Sequence, residues 1–336
     1  MRFTSRARAK GQPVADKSQP PLATAKPRLL FLDALRGIAL IAMASYHFSW
    51  DLEFFGYLEP GTSTQGAFRL YARAIASSFL FLAGFSLVLA HYPQLRPSAF
   101  LRRLGIVALA AAAISAATWW FTPDAWIFFG ILHAIALCSV IGLAFLPVPP
   151  IVTLVVAGIV LALPSLVSLP AFDHPFLLFL GLSERLPRSN DFVPLVPWLG
   201  ALLCGIAAAR FAADRNMLDQ LAKLPPGPAW LRFGGRHSLT VYLLHQPVLI
   251  ALLYLGSLVI PPPSPDPVAD YLSSCQQACG VQGNDSGLCT RFCDCTLDAL
   301  KTQSLLEPLQ SGAILPEQDA RIKSLAAECT AISRAP

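Results

Sequence analysis

Residues 28–55 read RLLFLDALRGIALIAMASYHFSWDLEFF. The apolar run exceeds the ~20 residues that a helix needs to cross a bilayer. It also carries Asp33 and Arg36 near its start, His47 near its end, and Asp51 one turn further. Ionisable groups at membrane depth are costly, and they are kept where they pair or function. The segment therefore predicts a spanning helix that does more than anchor.

Composition extends that reading to the whole chain. Of 336 residues, 54% are hydrophobic and 13% are charged, with a mean hydropathy of +0.55. A soluble domain carries about 25% charged residues. The deficit predicts an all-α, polytopic transmembrane helix bundle. Apolar runs place seven spans near 29–48, 69–90, 102–121, 126–146, 150–169, 193–212 and 238–260. An eight-span arrangement stays open and would flip the C-terminus. Residues 175–182 are apolar but too short to span, which fits an interfacial or re-entrant piece.

Charge is asymmetric. Residues 1–28 hold seven Lys or Arg against Asp16 alone, with Pro13, Pro20, Pro21 and Pro27 among them. That composition predicts a disordered basic cytosolic tail. It lacks the aromatic interleaving of a nucleic-acid arm, and the positive-inside rule accounts for it. No small-residue cleavage site follows the apolar stretch, so a removed signal peptide is not expected. With the N-terminus inside, fifteen Arg and Lys fall on inner segments and their flanks. Four fall on outer loops: Arg69, Arg73, Arg185 and Arg188. Trp50, Trp119, Trp120, Trp126 and Trp198 then gather at the outer interface as anchors. Three parts follow: the tail 1–28, a membrane domain 29–260, and an extracytoplasmic helical module 261–336.

Six of the eight cysteines lie in that last part. Cys275 with Cys279, and Cys289 with Cys293, form two Cys-x3-Cys pairs, and i and i+4 share a helix face. The turn-forming stretch 280–287 between them predicts an antiparallel hairpin. That hairpin sets Cys275 opposite Cys293 and Cys279 opposite Cys289, leaving Cys295 for Cys329. Such bridges need an oxidising compartment. Zinc is the alternative, but the spacings differ from the usual structural sites and no His lies in the tail. Cys138 and Cys204 fall inside spans and read as small core hydrophobes.

Three histidines fall within spans. Counted at ~1.5 Å per residue, His47 and His133 lie toward the outer side and can share a cavity. His245 lies about two turns from the inner side, near Asp33, Arg36 and Arg236. Asp33 and Arg36 sit three apart on one face, which suits an internal salt bridge. Arg36 alternatively meets an anion, because its planar donor fork suits phosphate. His47 and Asp51 are i and i+4. A carboxylate beside an imidazole fixes its tautomer and raises its basicity, as a general base requires. Arg69 and Arg73 read as snorkelling side chains.

The runs Leu32-Asp33-Ala34-Leu35-Arg36-Gly37 and Tyr46-His47-Phe48-Ser49-Trp50-Asp51-Leu52 resemble the start of the bacterial DUF1624 proteins. These are grouped with the catalytic domain of heparan-alpha-glucosaminide N-acetyltransferase. Similar in order and spacing are Phe79-Leu80-Phe81-Leu82-Ala83-Gly84-Phe85-Ser86, Phe129-Gly130-Ile131-Leu132-His133 and Val196-Pro197-Trp198-Leu199-Gly200. So are Gly235-Arg236-His237-Ser238-Leu239 and Tyr242-Leu243-Leu244-His245-Gln246-Pro247. The resemblance covers roughly 28–257 and leaves the cysteine module outside.

It implies a multi-pass acyltransferase, expected in a bacterial inner membrane, that takes acetyl from cytosolic acetyl-CoA. The acceptor is an amino sugar or glycan on the far side. Asp33, Arg36, Arg236 and His245 are then the expected acetyl-CoA end. His47, Asp51 and His133 form the catalytic end, with no metal and no nucleic acid involved. Self-association stays open. Two other functions stay open on the sequence. One is a proton-coupled transporter using the intramembrane His and Asp as a relay, although no internal repeat is evident. The other is a non-catalytic scaffold displaying the cysteine module.

Overall fold

The computed structural model describes residues 29–59, 61–185, 187–263, 266–316 and 319–334. The expected disordered tail 1–28 lies outside them. Thirteen α-helices and no strand occur among the described residues. They are α1 Leu30–Phe54, α2 Gly66–His91, α3 Pro97–Phe121, α4 Ile131–Leu143, α5 Pro150–Leu166, α6 Leu195–Asp214 and α7 Leu218–Ala222. Then follow α8 Ala229–Arg236, α9 Ser238–Ser257, α10 Pro267–Val281, α11 Ser286–Thr302, α12 Leu306–Gln310 and α13 Ala320–Arg334.

All seven predicted spans fall on helices. Five of these, α1, α2, α3, α6 and α9, are long and apolar enough to cross a membrane. α4 has 13 residues and α5 has 17. At 1.5 Å per residue they reach only about 20 and 26 Å, against a ~30 Å hydrocarbon core. Aromatic-rich loop takes the N-terminal part of the predicted fourth span, and α4 starts only at Ile131. Residues 175–182 form no spanning element; a single 3-10 turn, Leu178–Leu180, lies there.

The chain divides into two compact units, Met1–His47 with Gly66–Pro247, and Phe48–Gln65 with Val248–Pro336. The divisions fall inside α1 and α9. In the first unit α6 is the central helix, packed against α2 and α5. Glycines set the α2–α6 distance. A Cβ on Gly84 would run into the Leu202 carbonyl, and one on Gly205 into that of Phe81. Small residues at a crossing let two backbones approach closely, which is how helices gain packing in lipid. Leu80, Leu202, Leu203 and Ile206 are fully buried around that crossing. Cys138 is buried among them as a core hydrophobe, and Cys204 is half-buried.

The second unit is stapled. Cys275–Cys293, Cys279–Cys289 and Cys295–Cys329 are bonded, with Cα separations of 5.7 to 5.8 Å. This is the pairing that the hairpin spacing predicts, and it consumes the thiols a zinc site would need. Three aspartates start the helices. Asp266 accepts from the Val268 N–H (2.9 Å), Asp285 from that of Gly287 (2.7 Å), and Asp319 from that of Arg321 (2.8 Å). Each satisfies a donor the helix leaves unpaired, worth about 1 kcal/mol. Leu300, Leu305, Ile322 and Leu325 form a small core with Cys329. The Cys295–Cys329 bridge closes a separation of 34 residues. Replacing both cysteines by serine is expected to lower the stability of this unit by about 3–4 kcal/mol. Thermal unfolding under non-reducing conditions measures it, and an unchanged transition would show that packing alone holds α11 to α13.

Candidate functional site: a histidine pair and an arginine-lined cavity

Two glycine contacts align the site. A Cβ on Gly37 of α1 would strike the Leu231 carbonyl, and one on Gly235 of α8 would strike that of Asp33. The short helix α8 therefore lies directly on the first turns of α1. Ten residues separate Gly37 from His47, and ten separate Gly235 from His245. Beyond that contact α9 packs beside α1, with Val241 and Tyr242 against Leu40 and Met43, and the two helices bring their histidines together. His47 Nδ1 and His245 Nε2 are 2.6 Å apart, with the rings stacked at 4.9 Å.

This corrects the expectation that His245 belongs to the inner end with Asp33, Arg36 and Arg236. That expectation counts depth from the start of α9 as though α9 began at the interface. α8 already occupies the level of Asp33 and Gly37, so α9 starts deeper and His245 reaches His47.

The hydrogen bonds fix the tautomers. A carbonyl only accepts, so His245 Nδ1–H donates to the Tyr242 carbonyl at 2.5 Å. In the neutral ring, Nε2 then keeps its lone pair and receives His47 Nδ1–H. The remaining lone pair of His47 is on Nε2, the ring nitrogen that His245 does not use. The His47 side chain also hydrogen-bonds Gln246. Asp51 follows one turn later on α1 and is fully buried, within the second unit.

Arg36 forms the expected ion pair, Nη1 to Asp33 Oδ1 at 2.8 Å. Its other arm donates to Ser86 Oγ of α2 at 2.5 Å, and Ser86 in turn donates to the Leu82 carbonyl. Arg36 is thereby held across two helices. It lines a cavity of about 510 Å³ together with Arg102 and Arg103 of α3 and Tyr242 of α9. Among the described residues, no acidic side chain lines this cavity. A second cavity of about 550 Å³ also reaches Arg36 and includes Asp33, Asn216 and Asp219. Arg102 and Arg103 were legible as charges but not as site residues, since they count equally well as the positive edge of an inner loop. Arg236 ends α8 with an exposed side chain and is not among the residues lining either cavity.

His133 is engaged at both nitrogens. Ser115 Oγ gives its proton to the Ile127 carbonyl at 2.6 Å, so His133 Nε2–H donates to Ser115 Oγ at 3.2 Å. His133 Nδ1 accepts the Gly130 N–H at 3.2 Å. No lone pair is left for a base, and the residue instead closes the first turn of α4. The expected shared cavity of His47 and His133 gives way to the His47–His245 pair.

Asp191, which nothing in the sequence singles out, completes the α4 start by accepting the Ile131 N–H at 3.0 Å. Burial pushes its carboxyl up from 3.8 to about 6, against the pull of that hydrogen bond. The folded protein thus holds a proton that the unfolded chain releases between those values. The associated stability is full below pH 3.8 and is lost as pH rises through about 6. Asp191→Asn keeps an acceptor for Ile131 and is expected to flatten the fall in melting temperature between pH 4 and 7. An identical pH profile in the variant would remove Asp191 from this role.

The helices define an integral membrane protein with a polar site inside its helical body. The chain belongs to the family described as heparan-alpha-glucosaminide N-acetyltransferase, catalytic, which it matches over residues 28–247. Membership suggests a membrane acetyltransferase. No curated protein and no solved structure matches the chain. The family match ends at Pro247, so α10 to α13 lie outside it.

Proposed function

We propose that the chain moves an acetyl group from cytosolic acyl-CoA to an amino sugar or glycan on the far side of a bacterial inner membrane. The N-terminus then faces the cytosol and the cysteine-rich end lies outside. One observation carries this reading: a cavity lined, among the described residues, by three arginines and no acid also includes Tyr242, whose carbonyl holds the His245–His47 pair.

The residues fit a polyanion. Arg36, Arg102 and Arg103 present planar donor forks suited to phosphate oxygens, and the apolar remainder of the cavity suits a pantetheine arm. When bound, the thioester supplies an activated acetyl carbonyl. His47 Nε2 takes the proton from the acceptor amine or hydroxyl as that atom bonds to the carbonyl carbon. The carbon–sulfur bond breaks and the sulfur leaves with the electron pair. His245 stabilises the imidazolium by accepting from its Nδ1–H, and the Tyr242 carbonyl holds His245 in the tautomer that can do so. Arg36, tied to Asp33 and Ser86, needs little ordering on binding.

Acetyl transfer from labelled acetyl-CoA to glucosamine by the purified protein tests the reading. Arg103→Ala is expected to raise KM for acetyl-CoA about tenfold, as loss of one charge-assisted hydrogen bond does, with kcat little changed. Uptake of glucosamine into proteoliposomes without any acyl donor, together with no transfer, would instead favour transport.

A further inference from the structure

The second unit contains a cavity that the acetyl-transfer reading does not use. Its volume is about 440 Å³, within the ~300–1,000 Å³ of small-molecule sites. A chain segment this short has little core to spare, yet the space between its helices is not filled. The three disulfides join α10 to α11 and α11 to α13, and hold the frame open around it.

Along α11 the cavity is lined by Leu288, Phe292, Thr296 and Leu300, each one turn from the last. Along α13 the stripe is Ile322, Ala326, Thr330 and Arg334. The ends of each stripe are twelve positions apart, about 18 Å at 1.5 Å per residue.

Its two ends differ chemically. α11 and α13 run antiparallel, since Cys295 bonds Cys329 and the Arg291 guanidinium donates to the Ser333 carbonyl at 3.3 Å. Leu288 therefore lies toward Arg334, and Leu300 toward Ile322. The α10–α11 bridges bring Gln282 and Asn284 to the Arg334 end. Leu309 joins Leu300 and Ile322 at the other end. Arg334 is the one charged side chain among the described lining residues.

We propose that this module binds a single-chain fatty carboxylate. The extended chain lies along the α11 and α13 stripes, and the carboxylate meets Arg334, with Gln282 and Asn284 beside it. A cavity lined by two helical stripes that are largely apolar, with one cationic end, suits an extended chain with one anionic head, and a planar guanidinium pairs with a carboxylate in two-pronged fashion. The proposal is independent of the acetyl-transfer site.

The test uses the full chain in nanodiscs with a 16-carbon fatty acid bearing a chain diazirine. Light-induced label is mapped on peptides of α11 and α13 and competed with unlabelled palmitate. Saturable labelling there is expected. Arg334→Gln, at an exposed helix end where the fold is not at risk, is expected to cut labelling by the acid about tenfold. The matching diazirine alcohol should label wild type and variant alike. Ala326→Trp, which fills the cavity, should abolish labelling while intact-mass analysis still shows three disulfides. Label confined to residues 29–247, or labelling by the acid that Arg334→Gln leaves unchanged, would overturn the proposal.

Discussion

His47→Ala is expected to reduce acetyl transfer by about 10²- to 10⁴-fold, the usual worth of a positioned general base. The protein should stay folded, since His47 is half-buried on α1 and its removal takes one hydrogen-bond partner from His245 and one from Gln246. The loss should fall on kcat, because binding of the donor is assigned to arginines on other turns. His245→Ala should give a smaller loss with a distinct signature. Without Nε2 to receive the Nδ1–H, His47 can adopt either tautomer and its imidazolium loses a partner. The acidic limb of the pH–rate profile should therefore move in His245→Ala, while His245→Gln, which retains an acceptor, should recover part of the rate. Unchanged turnover in His47→Ala would remove this residue from the chemistry. A pH profile identical to wild type in His245→Ala would reduce the histidine pair to packing.

Gly235→Val should be the most damaging substitution away from the histidines. A side chain there has no space, because its Cβ would be driven into the Asp33 carbonyl and toward the Gly37 amide. Forced overpacking costs about 1–3 kcal/mol, and a backbone obstacle, which cannot rotate away, places this case at the upper end. The functional loss should exceed the stability loss. Pushing α8 off α1 tilts the start of α9 and separates His245 from His47, ten residues along. Gly234→Val is the control: its Cβ position meets nothing within 4 Å. Thermal unfolding and turnover measured on both variants decide it. Equal behaviour of the two would mean that the α1–α8 contact does not set the histidine spacing.

Much of the architecture is legible in the sequence because its causes are local. Apolar runs fix the helices, and Pro97, Pro150 and Pro267 stand at the first helical position, where a missing N–H costs nothing. Two Cys-x3-Cys pairs around a glycine-rich turn fix the bridges. Asp33 and Arg36 pair as three-residue spacing on a helix requires. The site is legible only in part. His47 and Arg36 stand out because charge and imidazole are rare in apolar runs. His245 stands out equally, but its depth does not. Arg102, Arg103 and Asp191 look ordinary, since a doublet of arginines at a helix start and an aspartate in a loop need no special explanation.

The sequence by itself therefore determined which long apolar segments are helices, which cysteines join, and the family to which residues 28–247 belong. The tertiary structure decided which polar groups meet. Helical depth has to be counted from a helix end, and where α9 begins depends on α8 packing onto α1 through two glycines far apart in the chain. That same packing pairs His47 with His245, and the arrival of α3 beside Arg36 turns three scattered arginines into one cationic cavity.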